Sequence, residues 1–421
     1  MTEPEEPRST TADHAQLGGG ISRGLVLLMA ATCGAAAANL YYAQPLLSTI
    51  GGALGVSNAT AGLVITISQL GYVLGLALLL PLGDLRERRG LISTTLLLTA
   101  AGMVVAALAP SFAVFGAAIA VVGVTSVVAQ VVVAMSSSLS AEDERGRVVG
   151  TVMSGLLIGI LLARTVSGLI AAALGWRTVF WFAAAAMLAL SLTLRRALPR
   201  VPPTADLSYR GLLRSVLALI REEPVLRQRM LIGALDFGCF STLWTALAFL
   251  LSGAPYHYGN AVIGLFGLVG VVGAGAASLA GRLADRGRGG WATTTTALIM
   301  LASWAVLALG KSSLAALIVG IAVLDLGVQG LHISNQSAIY ALRPEARSRL
   351  TTAYMVAYFL GGALCSALAA SLYAAAGWGA VCALGGGIAL LALVVWLSTE
   401  AMAARARRHR GHIGEQLSAT D

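Results

Sequence analysis

The sequence predicts an all-α membrane protein: twelve transmembrane helices arranged as two pseudo-symmetric six-helix bundles. Three observations predict it. Of 421 residues, 57% are hydrophobic and only 11% charged, with mean hydropathy +0.82, whereas a soluble domain carries about 25% charged residues. Apolar runs of about 20 residues, the length that crosses the hydrocarbon of a bilayer, recur along almost the whole chain. Landmarks also repeat at one offset: Asp84 and Asp285 lie 201 apart, Arg145/Arg147 and Arg347/Arg349 lie 202 apart, and Gly175-Trp176 and Gly377-Trp378 lie 202 apart. Such a parallel duplication, with a site between the halves, is an architecture of secondary transporters, and a channel or membrane enzyme has no special need for it.

Taken in order, residues 1–22 are polar, carry Glu3, Glu5 and Glu6, lack a secretory signal and read as a disordered tail. Residues 23–197 form the first bundle, with spans 1 to 6 at about 24–46, 60–82, 90–110, 112–138, 148–173 and 176–197. Residues 198–228 open with Pro199, Pro202 and Pro203. They continue as an amphipathic helix with Tyr209, Leu212, Leu213, Val216, Leu219 and Ile220 on one side and Arg210, Arg214 and Arg221 elsewhere, which reads as an interfacial linker. Residues 229–398 form the second bundle, with spans 7 to 12 at about 230–252, 260–282, 291–310, 314–340, 351–374 and 378–398. Residues 399–421 are a basic tail. The cysteines Cys33, Cys239, Cys365 and Cys382 sit singly in apolar runs, with no metal spacing, and read as small packing residues.

The net charge of +9 is a topology signal. Of 28 Lys and Arg residues a single one, Lys311, is lysine, and the arginines fall in alternate loops, whereas the intervening loops hold only Arg177 and Lys311. That pattern places both termini in the cytoplasm and the protein, multi-pass, in the cytoplasmic membrane. Nucleic-acid binding is not expected.

The polar residues inside the apolar runs are the candidate site. In span 10, Asp325, Gln329, His332 and Gln336 are spaced four, three and four apart, which puts them on one face of a helix. Two ionisable groups there are costly in lipid, so the stripe should face protein or water. At 1.5 Å per residue, Arg164 of span 5 and Asp325 stand about 25 and 24 Å above the arginine-rich end, and Asp236 of span 7 and His332 about 10 and 13 Å. Height thus matches Arg164 with Asp325, as a structural or gating ion pair, and Asp236 with His332, as a titratable pair. The competing readings are a packing acid for Asp325 and a hydrogen-bonded core histidine for His332. Further cavity candidates are Asn39, Tyr42 and Gln44 in span 1, Gln130 in span 4, and Ser241, Trp244 and Thr245 in span 7. Tyr41 and Tyr42 also fit an interfacial aromatic belt. Aromatics with a few polar groups suit an amphiphilic ligand.

Three stretches carry a resemblance. Span 1 contains Asn39-Leu-Tyr-Tyr-Ala-Gln-Pro-Leu. The loop after span 2 reads Leu80-Pro-Leu-Gly-Asp84-Leu-Arg86-Glu-Arg88-Arg89, and its second-half copy reads Gly281-Arg-Leu-Ala-Asp285-Arg286-Gly-Arg288. Span 5 places Gly150, Gly159, Ala163-Arg164 and Ser167-Gly168 at the spacing of G-x8-G-x3-G-P-x2-G-G. Over residues 23–398 the chain resembles the major facilitator superfamily, in particular its twelve-helix drug:proton antiporters, and among these the bacterial multidrug and sugar-efflux permeases. The resemblance implies that spans 1, 4, 7 and 10 line the cavity, that 2, 5, 8 and 11 flank the interface between halves, and that 3, 6, 9 and 12 face lipid. It implies a cytoplasmic gate at Asp84, Arg88, Arg89, Gly281, Asp285 and Arg286, the alternative being a plain positive-inside loop, and close packing at the small residues of span 5. Two departures matter. Arg164 stands where that family has proline, and the arginine expected in span 4 is replaced by Ile119, so coupling must rest on other residues.

The function expected is a secondary active transporter, not an enzyme, exporting drug-like or sugar-like molecules by proton antiport and alternating access. No nucleophile–base or metal constellation is present in the sequence. No cofactor is expected beyond the proton gradient, the partners are substrate, protons and the bilayer, and the working unit is a monomer. Import or facilitated passage of a sugar or metabolite is the alternative, and a substrate-sensing receptor, which would need a large soluble signalling domain, is more remote.

Overall fold

The computed structural model describes residues 21–201, 209–270, 289–343 and 346–418, without the side chains of Asp84 and of 402–418. Among the described residues every regular element is a helix. Nine helices among the described residues are long and apolar enough to cross a membrane, and Arg23–Ala38 and Asn260–Gly270 are shorter apolar helices. One of the nine, within Arg347–Ser418, holds two spans joined at Gly377, whose φ of 73° breaks the helix. Each of the twelve spans that the apolar runs predict thus has a helical counterpart, span 8 only over 260–270, since the rest of it lies outside the described residues.

Helix starts follow local chemistry. Ser22, Ser57, Ser111 and Ser313 accept a hydrogen bond from an orphan N–H in the first turn of spans 1, 2, 4 and 10. The Glu87 carboxylate does the same for Arg89 and Gly90 at the start of span 3. Span 7 begins earlier than expected, at Pro224, because proline at the first helical position needs no N–H donor. The linker helix occupies Tyr209–Glu222, inside the expected linker.

Three expectations are revised. Span 1 does not end at 46: Arg23–Ala38 gives way to turns over 39–43, and helix resumes through Gln44–Leu46 and Leu47–Ala53. Span 4 is interrupted between Phe112–Thr125 and Val128–Leu139. The last helix runs on to Ser418, through most of the stretch read as a basic tail. Gly281, Asp285 and Arg286, and residues 1–20, lie outside the described residues.

The repeat is visible as geometry. A Cβ on Gly159 of span 5 would lie 2.1 Å from the Gly34 carbonyl of span 1; a Cβ on Gly361, 202 residues on, would lie 2.1 Å from the Ala234 carbonyl of span 7. The same backbone-to-backbone approach therefore recurs in both halves, permitted only by glycine. Gly175 and Gly377 both turn the chain with positive φ, 88° and 73°. Trp176 and Trp378, which follow them, are both buried.

The halves meet at the end opposite the arginine-rich loops. A Cβ on Gly62 of span 2 would lie 2.2 Å from Cβ of Ala370 in span 11, and Gly168 of span 5 packs on the backbone of Asn260 and Gly264 in span 8. Ser48 meets Ser252 at 2.7 Å, Thr49 donates to Asn260 at 2.8 Å, and Thr165 donates to the Gly264 carbonyl at 3.0 Å. These polar and small-residue contacts between halves close this end. The four cysteines are free thiols.

Candidate functional site

Arg164 is the centre of the site. It is 2% exposed, and its Nε donates to Gln44 Oε1 at 2.6 Å. The break in span 1 turns Tyr41 and Gln44 toward span 5, so the stretch 39–46 is what supplies the arginine with an acceptor. The guanidinium lies 4.0 Å from the Trp244 ring, 4.8 Å from Tyr41 and 5.5 Å from Phe240. Stacking on aromatic faces suits a planar, weakly hydrated cation in a dry site. Its Nη2 is buried without a hydrogen-bond partner.

Asp325, 4% exposed, meets the indole N–H of Trp244. The indole N–H donates to its Oδ1 at 3.5 Å, the long limit of a hydrogen bond. Its Oδ2 borders Gly270 of span 8, where a Cβ would come within 2.8 Å. No ion pair within 4 Å joins Arg164 to Asp325 among the described residues. The direct pair suggested by equal height is therefore corrected to a three-part arrangement, Arg164–Trp244–Asp325, in which the indole contacts both charged side chains. Height along a helix fixes depth and leaves lateral position free.

The second level-matched pair is also absent as a contact. Asp236 is fully buried, and both carboxylate oxygens lack a hydrogen-bond partner. His332 instead meets the Tyr354 hydroxyl through Nδ1 at 3.1 Å and packs on Tyr358, ring centroids 4.6 Å apart. Tyr354, Tyr358 and Cys239 are the titratable neighbours within electrostatic reach of Asp236. Phe237, the next residue, stacks on Tyr358 at 4.3 Å and on Phe240 at 5.4 Å.

The remaining candidates are distributed around this core. Ser241 accepts from Gln69 Nε2 of span 2 at 3.1 Å, a contact across the halves. Thr245 is fully buried, with its hydroxyl unpartnered. Asn39 donates to Met187 Sδ at 3.4 Å, inside the first half. Gln130 is half-buried and donates to the Tyr72 hydroxyl at 3.4 Å, so it faces span 2 and not His332. Tyr42, Gln329 and Gln336 are half-buried. Tyr41, 6% exposed against Arg164, belongs to the site and not to an interfacial belt.

Within the span 5 motif the small residues divide. Gly159 packs on span 1 and Gly168 on span 8, Ala163 and Ser167 are buried, and Gly150 meets nothing within 4 Å. In the gate motif, Arg88 donates from Nε to the Gly83 carbonyl at 2.9 Å and from Nη1 to Ser138 at 3.0 Å, among its contacts, and Arg89 reaches the Leu198 carbonyl at 3.5 Å. These partners all belong to the first half.

Sequence reasoning missed Gln69, Phe240, Tyr354, Tyr358 and Arg229. Arg229 reads as a loop cation in the sequence. It is 7% exposed, donates to Asn335 at 3.0 Å and Thr293 at 3.1 Å, and stacks 4.5 Å from Trp396. The early start of span 7 at Pro224 was the available signal, since it carries Arg229 into the bundle.

Residues 27–342 match the family model of the Major Facilitator Superfamily. The chain is 49% identical over 376 residues to the uncharacterized transporter YgaY of Escherichia coli (strain K12), covering 89% of this chain and 95% of that one. It is 28% identical to a chloramphenicol resistance protein of Streptomyces lividans, covering 68% and 72%. Its fold is similar to the crystal structure of a bacterial homolog of the human lysosomal transporter Spinster, inward-facing and occupied, with TM-score 0.73, 13% identity, and coverage of 90% and 96%.

Proposed function

This chain belongs to the Major Facilitator Superfamily of membrane transporters, and from that premise we propose that it exports small, amphiphilic organic molecules by proton antiport. Asp236 carries the reading: a carboxyl group held from water and from every donor is suited to take up and give off a proton as its surroundings rearrange. His332, near the depth of Asp236, and Asp325, about 10 Å further along span 10, are the other titratable members. Arg164 is the fixed cation of the site, since guanidinium does not lose its proton in proteins. Substrate enters from the cytoplasm, and protonation from the far side weakens its binding and resets the carrier. The span 5 packing at Gly159 and Gly168 and the similarity to a chloramphenicol resistance protein support export.

The termini are proposed to lie in the cytoplasm, the protein in the cytoplasmic membrane as a monomer, and residues 23–197 and 229–398 to move as the two halves. Asp84 and Asp285 with their neighbouring arginines are proposed to latch the halves on the cytoplasmic side. A second reading, import or facilitated passage of a sugar or metabolite, is favoured by Arg164 standing where the antiporter signature has proline. Accumulation by inverted vesicles across a panel of dyes, antibiotics including chloramphenicol, and sugars separates the two. Export predicts uptake of at least one compound that stops when the proton gradient is collapsed; uptake unaffected by the gradient contradicts antiport.

A further inference from the structure

Spans 2 and 11 are in continuous contact from Gly62 and Ala370, through Thr66 and Ser366 at 2.8 Å, to Tyr72 and Phe359, ring centroids 4.4 Å apart. Beyond that pair they part, and a cavity of about 350 Å³ opens between them. Leu80 and Pro81, Val216 and Ile220 of the linker helix, and Ala353 and Val356 of span 11 form its walls. The linker helix is fastened across the gap from both sides. Tyr209 donates to the Leu78 carbonyl at 3.0 Å, and Arg343 joins Glu222 at 3.0 Å and Glu223 at 2.8 Å. The lining is apolar except for Ser348, Arg349 and Thr352, all from the first turns of span 11. Among the described residues no ion pair engages Arg349.

We propose that this wedge binds the chain of a single-chain amphiphile with an anionic head, a fatty acid being the type, and that occupancy keeps these ends of spans 2 and 11 apart. An apolar slot bordered by a cation that no described carboxylate pairs fits a tail and a carboxylate together. At about 350 Å³ it stands at the small end of the ~300–1,000 Å³ typical of ligand sites, which favours one chain over two. The slot exists only while the two ends are separated, so a ligand filling it stabilises that state over any state in which they close. This last step rests on the alternating-access reading given above; the binding itself does not.

The test uses the full-length protein in phosphatidylcholine nanodiscs and a photoreactive dodecanoate, with labelled peptides mapped by mass spectrometry. Labelling is expected to concentrate on residues 212–220 and 349–356. Laurate should displace the probe at about tenfold lower concentration than dodecanol, the effect of one charge-assisted contact, and Arg349→Gln should remove that preference. Ala353→Phe and, independently, Val216→Phe fill the wedge and should each suppress labelling. Label spread over the exposed apolar faces of spans 3 and 6, or equal displacement by laurate and dodecanol, overturns the proposal. Loss of labelling when phosphatidylglycerol replaces phosphatidylcholine also overturns it, assigning the slot to a diacyl lipid. If laurate binds in the wedge yet leaves gradient-driven transport of a compound from the panel unchanged, the conformational step is overturned and the site stands.

Discussion

Replacing Trp244 should uncouple Arg164 from Asp325, because the indole touches both. Its ring lies 4.0 Å from the guanidinium, and its N–H reaches the Asp325 carboxylate at 3.5 Å. A desolvated cation–π contact contributes about 2 kcal/mol. The hydrogen bond is long and belongs at the lower end of the ~0.5–1.5 kcal/mol range. Trp244→Phe keeps a ring and loses the N–H, so it should cost about 0.5 kcal/mol; Trp244→Leu loses both and should cost about 2.5 kcal/mol. Thermal unfolding of the purified protein should rank wild type above Trp244→Phe above Trp244→Leu. A double-mutant cycle with Arg164→Met then isolates the shared contact, with a coupling of about 0.5–3 kcal/mol expected. Effects that add to within about 0.5 kcal/mol, or a Trp244→Leu protein as stable as wild type, would refute the bridging role.

Other outcomes follow from the packing. Gly159→Ala places a Cβ 2.1 Å from the Gly34 carbonyl and should destabilise by about 1–3 kcal/mol, whereas Gly150→Ala, with nothing within 4 Å, should leave the melting temperature unchanged or raise it. Equal melting of the two variants would show that the span 1–span 5 approach is not tight. Gly62→Val sets a side chain against Ala370, 2.2 Å from where a Cβ would stand, and should wedge open the end where the halves meet. Thiol labelling of a cysteine placed at Thr66 should then be faster in Gly62→Val than in wild type, and an unchanged rate would count against that seam as the closed gate.

Much of this architecture is legible in the sequence because lipid imposes a simple rule: backbone polar groups must be satisfied within the segment, so a span is a long apolar helix. The runs at 176–197 and 314–340 coincide with the helices Trp176–Ala197 and Leu314–Tyr340. The interruption of span 1 was not legible in that way. Pro45 and the Asn39–Gln44 stretch are apolar enough to pass as continuous membrane helix, and only the packed structure shows Gln44 turned onto Arg164. The site was legible in depth and illegible in azimuth. Arg164 and Asp325 do both contact Trp244, but which side chain joins them depends on how spans 5, 7 and 10 rotate against one another, which the sequence does not encode locally. Arg229 illustrates the other failure: a charge beside a proline-rich linker reads as surface, yet Asn335, Thr293 and Trp396 enclose it.

The central claim is that Asp236 exchanges a proton for substrate, and the Asp236→Asn protein tests it most directly. Reconstituted with a compound identified from the panel, it should still exchange labelled for unlabelled substrate across the membrane with no gradient present. It should fail to accumulate that compound when a proton gradient is imposed. Gradient-driven accumulation at the wild-type level in Asp236→Asn would contradict the account.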